Sequence, residues 1–174
     1  MSGPIYPFEG KWPRVHPTAW IAPTACIIGD VEIGPNSSVW YHCVLRGDTN
    51  FIRMGESVNV QDGTIVHVNA GREPTIMGDF VTIGHACIIH ACTLEDRAFV
   101  GMGATVLDGA IIQEAGMLAA GSVLPPGKVI GRQEQWMGNP AKLRKLMTDE
   151  ERAGFDRTAP SYAALSKRHR ISLG

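Results

Sequence analysis

The sequence predicts a mainly β protein, a parallel β-helix of hexapeptide repeats that ends in a C-terminal α-helix. Three observations support this prediction: an aliphatic residue recurs at every sixth position, turn-forming residues follow these aliphatics, and a helix-capping signal comes late in the chain. With 174 residues and 44% hydrophobic composition, the chain is long enough to bury one continuous core.

The six-residue period covers most of the chain. It begins with Val15, Ile21, Ile27, Ile33, Val39 and Leu45, slips by one residue, and resumes at Ile52, Val58 and Thr64. After a polar interruption it continues as Ile76, Thr82, Ile88, Leu94 and Val100, and runs on to Ile130. A period of six fits neither a 3.6-residue helix nor a long alternating strand, but it suits short strands separated by tight turns.

Three such strands close one coil of about 18 residues, with aliphatic side chains inside and Gly, Ala, Asn or Asp at the corners. Residues 15–132 are therefore expected to form a column of roughly six coils and about 30 Å. A sandwich of unrelated short strands is the alternative, and the regularity of the repeat argues against it.

Other segments flank or interrupt the column. Residues 1–14 are expected to be extended, and a loop is expected near 68–75, where turn-forming and charged residues break the period. Residues 133–174 are expected to be a helical segment that packs on the column, after Gly138-Asn139-Pro140 closes it. There, Thr148-Asp149-Glu150-Glu151 is typical of a capping box. Pro160 should then break or restart the helix before Tyr162, Leu165 and His169, which share one helical face.

The charge balance and the cysteines limit the classes of function. Sixteen Lys and Arg against seventeen Asp and Glu give a formal charge of -1, which favours neither nucleic acid nor an anionic membrane as a partner. No basic leader, apolar signal region or membrane-spanning run is evident, so a cytoplasmic location is expected. The four cysteines do not form a CxxC motif, and they are expected to be small buried residues in a reducing compartment: Cys26, Cys43, Cys87 and Cys92.

Three histidines have a spacing that points to a metal. His67 and His85 are one coil apart, three residues after Thr64 and Thr82, and are expected to stack on one face. His90 follows past a corner and should face another direction, so one chain alone is not expected to bring all three onto one ion. A ring of copies, and for a three-sided column a trimer, would do so. Three neutral imidazoles leave a fourth zinc position for water, which suits hydrolysis or hydration chemistry.

Further polar motifs occur in a fixed order: Arg46-Gly47-Asp48, Asn59-Val60-Gln61-Asp62-Gly63, His67, Gly84-His85, His90 and Gly138-Asn139-Pro140-Ala141. In these motifs, and over essentially its whole length, the chain resembles gamma-class carbonic anhydrases, in the bacterial subgroup of short carbonic-anhydrase-like hexapeptide proteins. The resemblance implies a left-handed β-helix and a homotrimer with interfacial metals, zinc by default and iron or cobalt as alternatives. It also implies that metal-bound hydroxide converts carbon dioxide to bicarbonate.

The same resemblance implies roles for single residues. Gln61 would hydrogen-bond the metal-bound water or the substrate, and Asn59 would support it. Arg46 would sit near bicarbonate or pair with a carboxylate across the interface, with Asp48 and Asp62 as candidate partners. An assembly ion-pair network is an equally open role for these three charged residues.

Tyr162 matches a C-terminal aromatic that the family places near the metal, and ordinary helix packing is the alternative. The chain departs from the family at Thr49 and in its short loop, where Glu73 is the only carboxylate, so reduced proton export and slower turnover are expected. His16, His42 and Glu73 are candidate substitute shuttles. Two other functions stay open: a hexapeptide acyltransferase or thioesterase linked to acyl-CoA, and a noncatalytic assembly subunit.

Overall fold

The computed structural model describes residues 3–174; Met1 and Ser2, the start of the predicted extended segment 1–14, lie outside the described residues. Within this range the elements are β1 (Ile5–Tyr6), β2 (Arg14–Val15), β3 (Trp20–Ile21), β4 (Cys26–Ile33), β5 (Ser38–Val39), β6 (Val44–Met54), β7 (Asn59–Val60), β8 (Ile65–His67), β9 (Thr75–Met77), β10 (Thr82–Ile83), β11 (Ile88–His90), β12 (Thr93–Leu94), β13 (Phe99–Val100), β14 (Thr105–Val106), β15 (Ile111–Ile112), β16 (Met117–Leu118), β17 (Val123–Leu124), β18 (Val129–Ile130), β19 (Glu134–Gly138), β20 (Ala141–Leu146), α1 (Asp149–Asp156) and α2 (Thr158–Ser172).

The strands form a left-handed parallel β-helix with three faces, which confirms the predicted fold class. The first face stacks β8, β11, β14 and β17, and the second stacks β9, β12, β15 and β18. These two faces belong to one sheet because β6 is long enough to pass round the corner and pair with both β8 and β9. The third face runs from β3 to β19 with seven parallel strands, one more coil than expected, because β19 pairs with β16 and continues the stack past residue 132.

Aliphatic side chains fill the prism between the faces. One complete stack on the third face contains Ile21, Val39, Val60, Ile83, Val100 and Leu118, each at most 3% exposed. From Ile76 to Ile88, however, the predicted series is one residue out of register, since these two isoleucines point outward and Met77 and Ile89 are buried. The earlier members Ile52, Val58 and Thr64 are buried. The shift is not evident in the sequence because either residue of an aliphatic pair such as Ile88-Ile89 fits the six-residue period. In the structure, a shift of one residue moves a side chain to the opposite face of a strand.

The corners admit larger residues than expected. Glycine takes the left-handed conformation at Gly103 and Gly121, but Phe80 and Arg97 adopt it too, each with φ of 59°. The large side chains are accommodated because they project outward from the column, where Phe80 is 40% exposed.

The segments outside the regular coils position the candidate site. Residues 68–74 form the predicted loop between β8 and β9. After the last coil, β19 and β20 form an antiparallel hairpin that the sequence did not predict. The capping box at Thr148 and Glu151 begins α1, as predicted, and α2 restarts with Pro160 in its first turn, where helix amides have no intrahelical acceptor.

Helix α2 packs against the third face through aromatic contacts. Tyr162 meets Trp40 edge to face at 5.1 Å, and His169 Nδ1 lies 3.0 Å from the Tyr41 hydroxyl. Of the predicted helical face, Tyr162 and Leu165 are partly buried against the core. Neither helix in residues 3–174 is long and apolar enough to cross a membrane.

All four cysteines are free thiols, and Cys43, Cys87 and Cys92 are buried as expected, whereas Cys26 is half-buried. Burial raises the pKa of Cys43 and of Cys92 to about 12, so both thiols stay protonated and unreactive at neutral pH.

Candidate metal centre

His67 and His90 form a pair of imidazoles on the first face. Each is the last residue of its strand, β8 and β11, and the strand register places them directly opposite one another. The Nδ1 atom of His67 lies 3.2 Å from the Nε2 atom of His90. We call these two side chains the imidazole pair.

A carboxylate anchors each outer nitrogen of the imidazole pair. His67 Nε2 lies 3.0 Å from Asp48 Oδ1, and His90 Nδ1 lies 2.5 Å from Asp108 Oδ1. Partial burial raises the pKa of Asp48, but hydrogen bonds from His67, a backbone amide and a guanidinium outweigh it and lower the pKa to about 2. Burial likewise raises the pKa of Asp108, and the hydrogen bond from His90 outweighs it, so that pKa is also lowered. Both carboxylates are therefore charged at neutral pH.

The expected stacking of His67 with His85 is wrong. The loop at 68–74 lengthens this coil, so Ile65 pairs with Ile88, 23 residues later, and His67 consequently pairs with His90. His85 instead occupies a turn between β10 and β11, where its Nδ1 lies 2.9 Å from Asp62 Oδ2. Asp62 also accepts a hydrogen bond from the Tyr41 amide at 3.2 Å.

A buried amide chain lies beside His85. Asn59 donates to Thr82 Oγ1 at 2.9 Å, and Gln61 Nε2 donates to Asn59 Oδ1 at 3.0 Å. Asn59 is 1% exposed and Gln61 is 5% exposed, so these bonds fix the orientation of both amides. The carbonyl oxygen of Gln61 remains as an acceptor.

Gln61, His85 and Tyr162 line one largely apolar cavity of about 390 Å³ between the third face and the helices, which we call the Gln61 cavity. Its other lining residues include Phe99, Met102, Met117 and Phe155. Burial, and then the charge of Asp62, raises the pKa of Tyr162, which is a neutral phenol. Tyr162 thus both lines the cavity and packs against Trp40.

Of the other residues singled out in the sequence, Arg46 and Thr49 contact Asp48. Arg46 forms an ion pair with Asp48 within the chain, and its side chain is 44% exposed. Thr49, the departure from the family, donates its amide to Asp48 at 2.8 Å. Among the candidate shuttles, Glu73 lies on the loop that follows His67, whereas His16 bonds to Thr18 at 2.9 Å.

Comparison with known proteins identifies the family. Gamma carbonic anhydrase 1, mitochondrial, of Arabidopsis thaliana is 46% identical over 164 residues, which cover 91% of this chain and 60% of the relative. Protein YrdA of Escherichia coli is 34% identical over 168 residues, which cover 93% of this chain and 91% of the relative. The chain belongs to the gamma carbonic anhydrase family.

The match to the named plant carbonic anhydrases is partial, because the chain spans 59–64% of their length. A solved structure of a hexapeptide transferase family protein from Anaplasma phagocytophilum has a TM-score of 0.91 and 50% identity, covering 96% of this chain and 98% of that chain. No family model matches the sequence. The same fold therefore occurs in proteins named carbonic anhydrases and in a protein named a transferase, so the fold alone does not determine the function.

The imidazole pair fits a divalent metal. With both rings neutral and the outer nitrogens donating to Asp48 and Asp108, two lone pairs face each other across 3.2 Å, and a shared proton or a metal ion between them relieves the repulsion. Two nitrogens at about 2.0–2.1 Å from a tetrahedral zinc are separated by roughly 3.3 Å, close to this spacing. Within residues 3–174 of one chain, no three His, Cys, Asp or Glu side chains are arranged to hold a metal. This gamma carbonic anhydrase chain therefore carries two candidate ligands together and His85 apart.

Sequence reasoning missed Asp108 and Asn69. Asn69 Nδ2 donates to Asp108 Oδ2 at 2.7 Å, while the other oxygen of Asp108 binds His90. The sequence did indicate a role for Asp108, because it follows His90 by 18 residues, the length of one regular coil. Carboxylates commonly orient metal-binding imidazoles.

Proposed function

We propose that this protein is a metal-dependent carbonic anhydrase whose sites form between copies of the chain. The single observation that carries the proposal is the imidazole pair, whose inner nitrogens face each other while carboxylates hold the outer ones. Two imidazoles leave coordination positions for a third ligand and for water. His85, held by Asp62 at a corner, is proposed as the third ligand, supplied by the neighbouring chain.

Outward apolar residues support self-association beside the imidazole pair. On the first face, Val44, Ile65 and Ile88 occupy one row in register, and the two isoleucines are 38% and 40% exposed. An exposed apolar row on a regular sheet favours burial against a partner. Each chain holds one imidazole pair and one His85, so head-to-tail packing in a closed ring gives one complete site per interface. We propose a homotrimer because the column has three sides.

The chain's own residues have defined tasks in this proposal. When bound, a divalent ion, zinc or alternatively iron or cobalt, would act as a Lewis acid that activates water at neutral pH for addition to carbon dioxide. The side-chain carbonyl oxygen of Gln61, oriented through Asn59, would accept a hydrogen bond from the water. The exposed guanidinium of Arg46 has donors beyond those used on Asp48, and these bind bicarbonate or the neighbour's carboxylate. Apolar walls of the Gln61 cavity suit a neutral, weakly polar substrate such as carbon dioxide.

Proton export is expected to be slow. Thr49 has no acidic proton, and Glu73 is the only carboxylate on the loop after His67. General acid–base groups with a suitable pKa carry protons to solvent, so their scarcity limits turnover without affecting metal binding. Added imidazole or another small buffer is therefore expected to raise the hydration rate.

The proposal is tested on anaerobically purified protein by metal analysis and carbon dioxide hydration on the same sample. We expect about one metal per chain and loss of hydration in His85→Ala, with Asp96→Asn, at a corner that the proposed site does not use, as the control. Metal-loaded protein without activity under any redox condition would refute the catalytic part and favour the noncatalytic assembly subunit.

An acyl-transfer function is the second candidate. It is favoured by the apolar Gln61 cavity beside His85 and by the transferase name of the 50% identical solved structure. Thermal stabilisation by acetyl-CoA that persists after chelation of metals would support this candidate, since acyl transfer needs one histidine and no ion. The cytoplasmic location stays a prediction.

A further inference from the structure

The loop at 68–74 makes its coil longer than the regular ones. Its neighbours in register, Ile65 and Ile88, are 23 residues apart, whereas Thr105 and Val123 are 18 apart. Inserted loops are tolerated on a solenoid without any role, so a role requires a contact that the loop alone makes. Asn69 makes such a contact.

Asn69 reaches across two coils from this loop. Its Nδ2 donates to Asp108 Oδ2 at 2.7 Å, so the two residues, 39 apart in sequence, are hydrogen-bonded. Its backbone is held in place, because its amide donates to the Glu73 carbonyl at 3.1 Å and its carbonyl accepts from Asn50 Nδ2 at 3.2 Å. The side chain of Asn69 is therefore presented by a closed loop.

Both oxygens of the Asp108 carboxylate are engaged by this arrangement. Oδ2 accepts from Asn69, and Oδ1 accepts from His90 Nδ1 at 2.5 Å. A carboxylate tethered at both oxygens cannot rotate away, so the proton of His90 stays on Nδ1 and the lone pair of Nε2 stays directed at His67. Histidine ligands depend on such partners for tautomer and ring orientation.

We propose that Asp108 and Asn69 are positioning residues that orient His90 for a divalent metal, and that the inserted loop serves to deliver Asn69. The metal in this statement rests on the proposed function; the orientation of His90 does not. Asp48 orients His67 in the same way, by accepting a hydrogen bond from its Nε2.

The test combines two readouts on three variants. In Asp108→Asn, the negative charge is lost: a flip of the Asn69 amide can keep that contact, but the neutral carbonyl oxygen of the new amide is a weaker acceptor for His90 Nδ1. In Asn69→Ala, Asp108 keeps its charge but loses its tether. In the double variant Asn69→Asp with Asp108→Asn, donor and acceptor are exchanged, so a negative charge returns beside the amide that accepts from His90. Asp96→Asn is the matched control, because Asp96 is a corner carboxylate that accepts the Asp79 amide at 2.9 Å.

The first readout is the protonation of His90 Nδ1 in metal-free protein, measured by nitrogen NMR with labelled histidine. We expect a protonated Nδ1 in the wild type and in the exchanged double variant, and its loss or averaging in Asp108→Asn. An unprotonated Nδ1 in the wild type overturns the proposal whether or not the protein binds metal.

The second readout is zinc affinity by competition with a chelator. We expect about 10- to 100-fold weaker binding in Asp108→Asn and a smaller loss in Asn69→Ala, with partial recovery in the double variant and none lost in Asp96→Asn. Unchanged affinity in Asp108→Asn overturns the positioning role. Absence of zinc binding in the wild type refutes the proposed function instead, and the NMR result then still decides the role of Asp108.

Discussion

A complementation experiment tests whether the imidazole pair and His85 come from different chains. One variant chain carries His85→Ala and keeps the pair; the other carries His67→Ala with His90→Ala and keeps His85. Neither variant alone can form a complete site in any cyclic assembly. Mixed assemblies, obtained by co-expression with two affinity tags, bring an intact pair against an intact His85.

The expected magnitude follows from the placement of the ligands. A site is complete only where a chain with the pair meets a chain with His85 on the correct side, and each condition holds for half of the chains. Random mixing in equal amounts therefore restores about one quarter of the wild-type sites. A site built from one chain would give none, because every chain in the mixture lacks at least one ligand.

Metal content by mass spectrometry is the primary assay, and carbon dioxide hydration is the secondary one. As a control, a chain lacking all three histidines is mixed with the His85→Ala chain, which should yield no complete site. Metal-free mixed assemblies, with each variant folded and assembled, would refute the division of ligands. Wild-type metal content in the His85→Ala parent would refute His85 as a ligand.

Further predictions concern folding. Ile89→Ala empties a fully buried position in β11 and should cost about 2–5 kcal/mol of unfolding free energy at any protein concentration, measured by urea denaturation. The neighbouring Ile88→Ala removes a 40% exposed side chain, so it should weaken assembly, seen as dissociation at higher protein concentration, and should cost little in the separated chains. An equal loss of stability at all concentrations would contradict the burial of Ile88 between copies. Thr148→Ala removes the N-cap of α1 and should lower helix stability by about 1 kcal/mol, detected by amide exchange; unchanged protection would contradict the capping role. Hydrogen bonds from Lys145 and the Thr148 amide lower the pKa of Glu151, so this stabilisation of α1 is present at neutral pH and is lost as the pH falls through the lowered pKa. Protection factors of the α1 amides, corrected for the slower intrinsic exchange at low pH, that do not fall under acid would contradict it.

Local features of the chain predicted much of the fold. The six-residue period is a property of neighbouring residues, and it predicted short strands, turns and a prismatic core. The capping box at Thr148 is equally local and was confirmed. The β19–β20 hairpin was missed because its strands carry exposed residues, such as Leu143 and Leu146, without an alternating pattern.

Within the site, the sequence by itself determined the chemical groups: three histidines, the carboxylates of Asp48 and Asp62, and the amides of Asn59 and Gln61. Which of them meet was decided only by the tertiary structure. Contacts between coils depend on the full length of the intervening coil, and the loop at 68–74 changed that length, placing His67 opposite His90. The same dependence joined Asn69 to Asp108 across 39 residues, a contact that no local period reports.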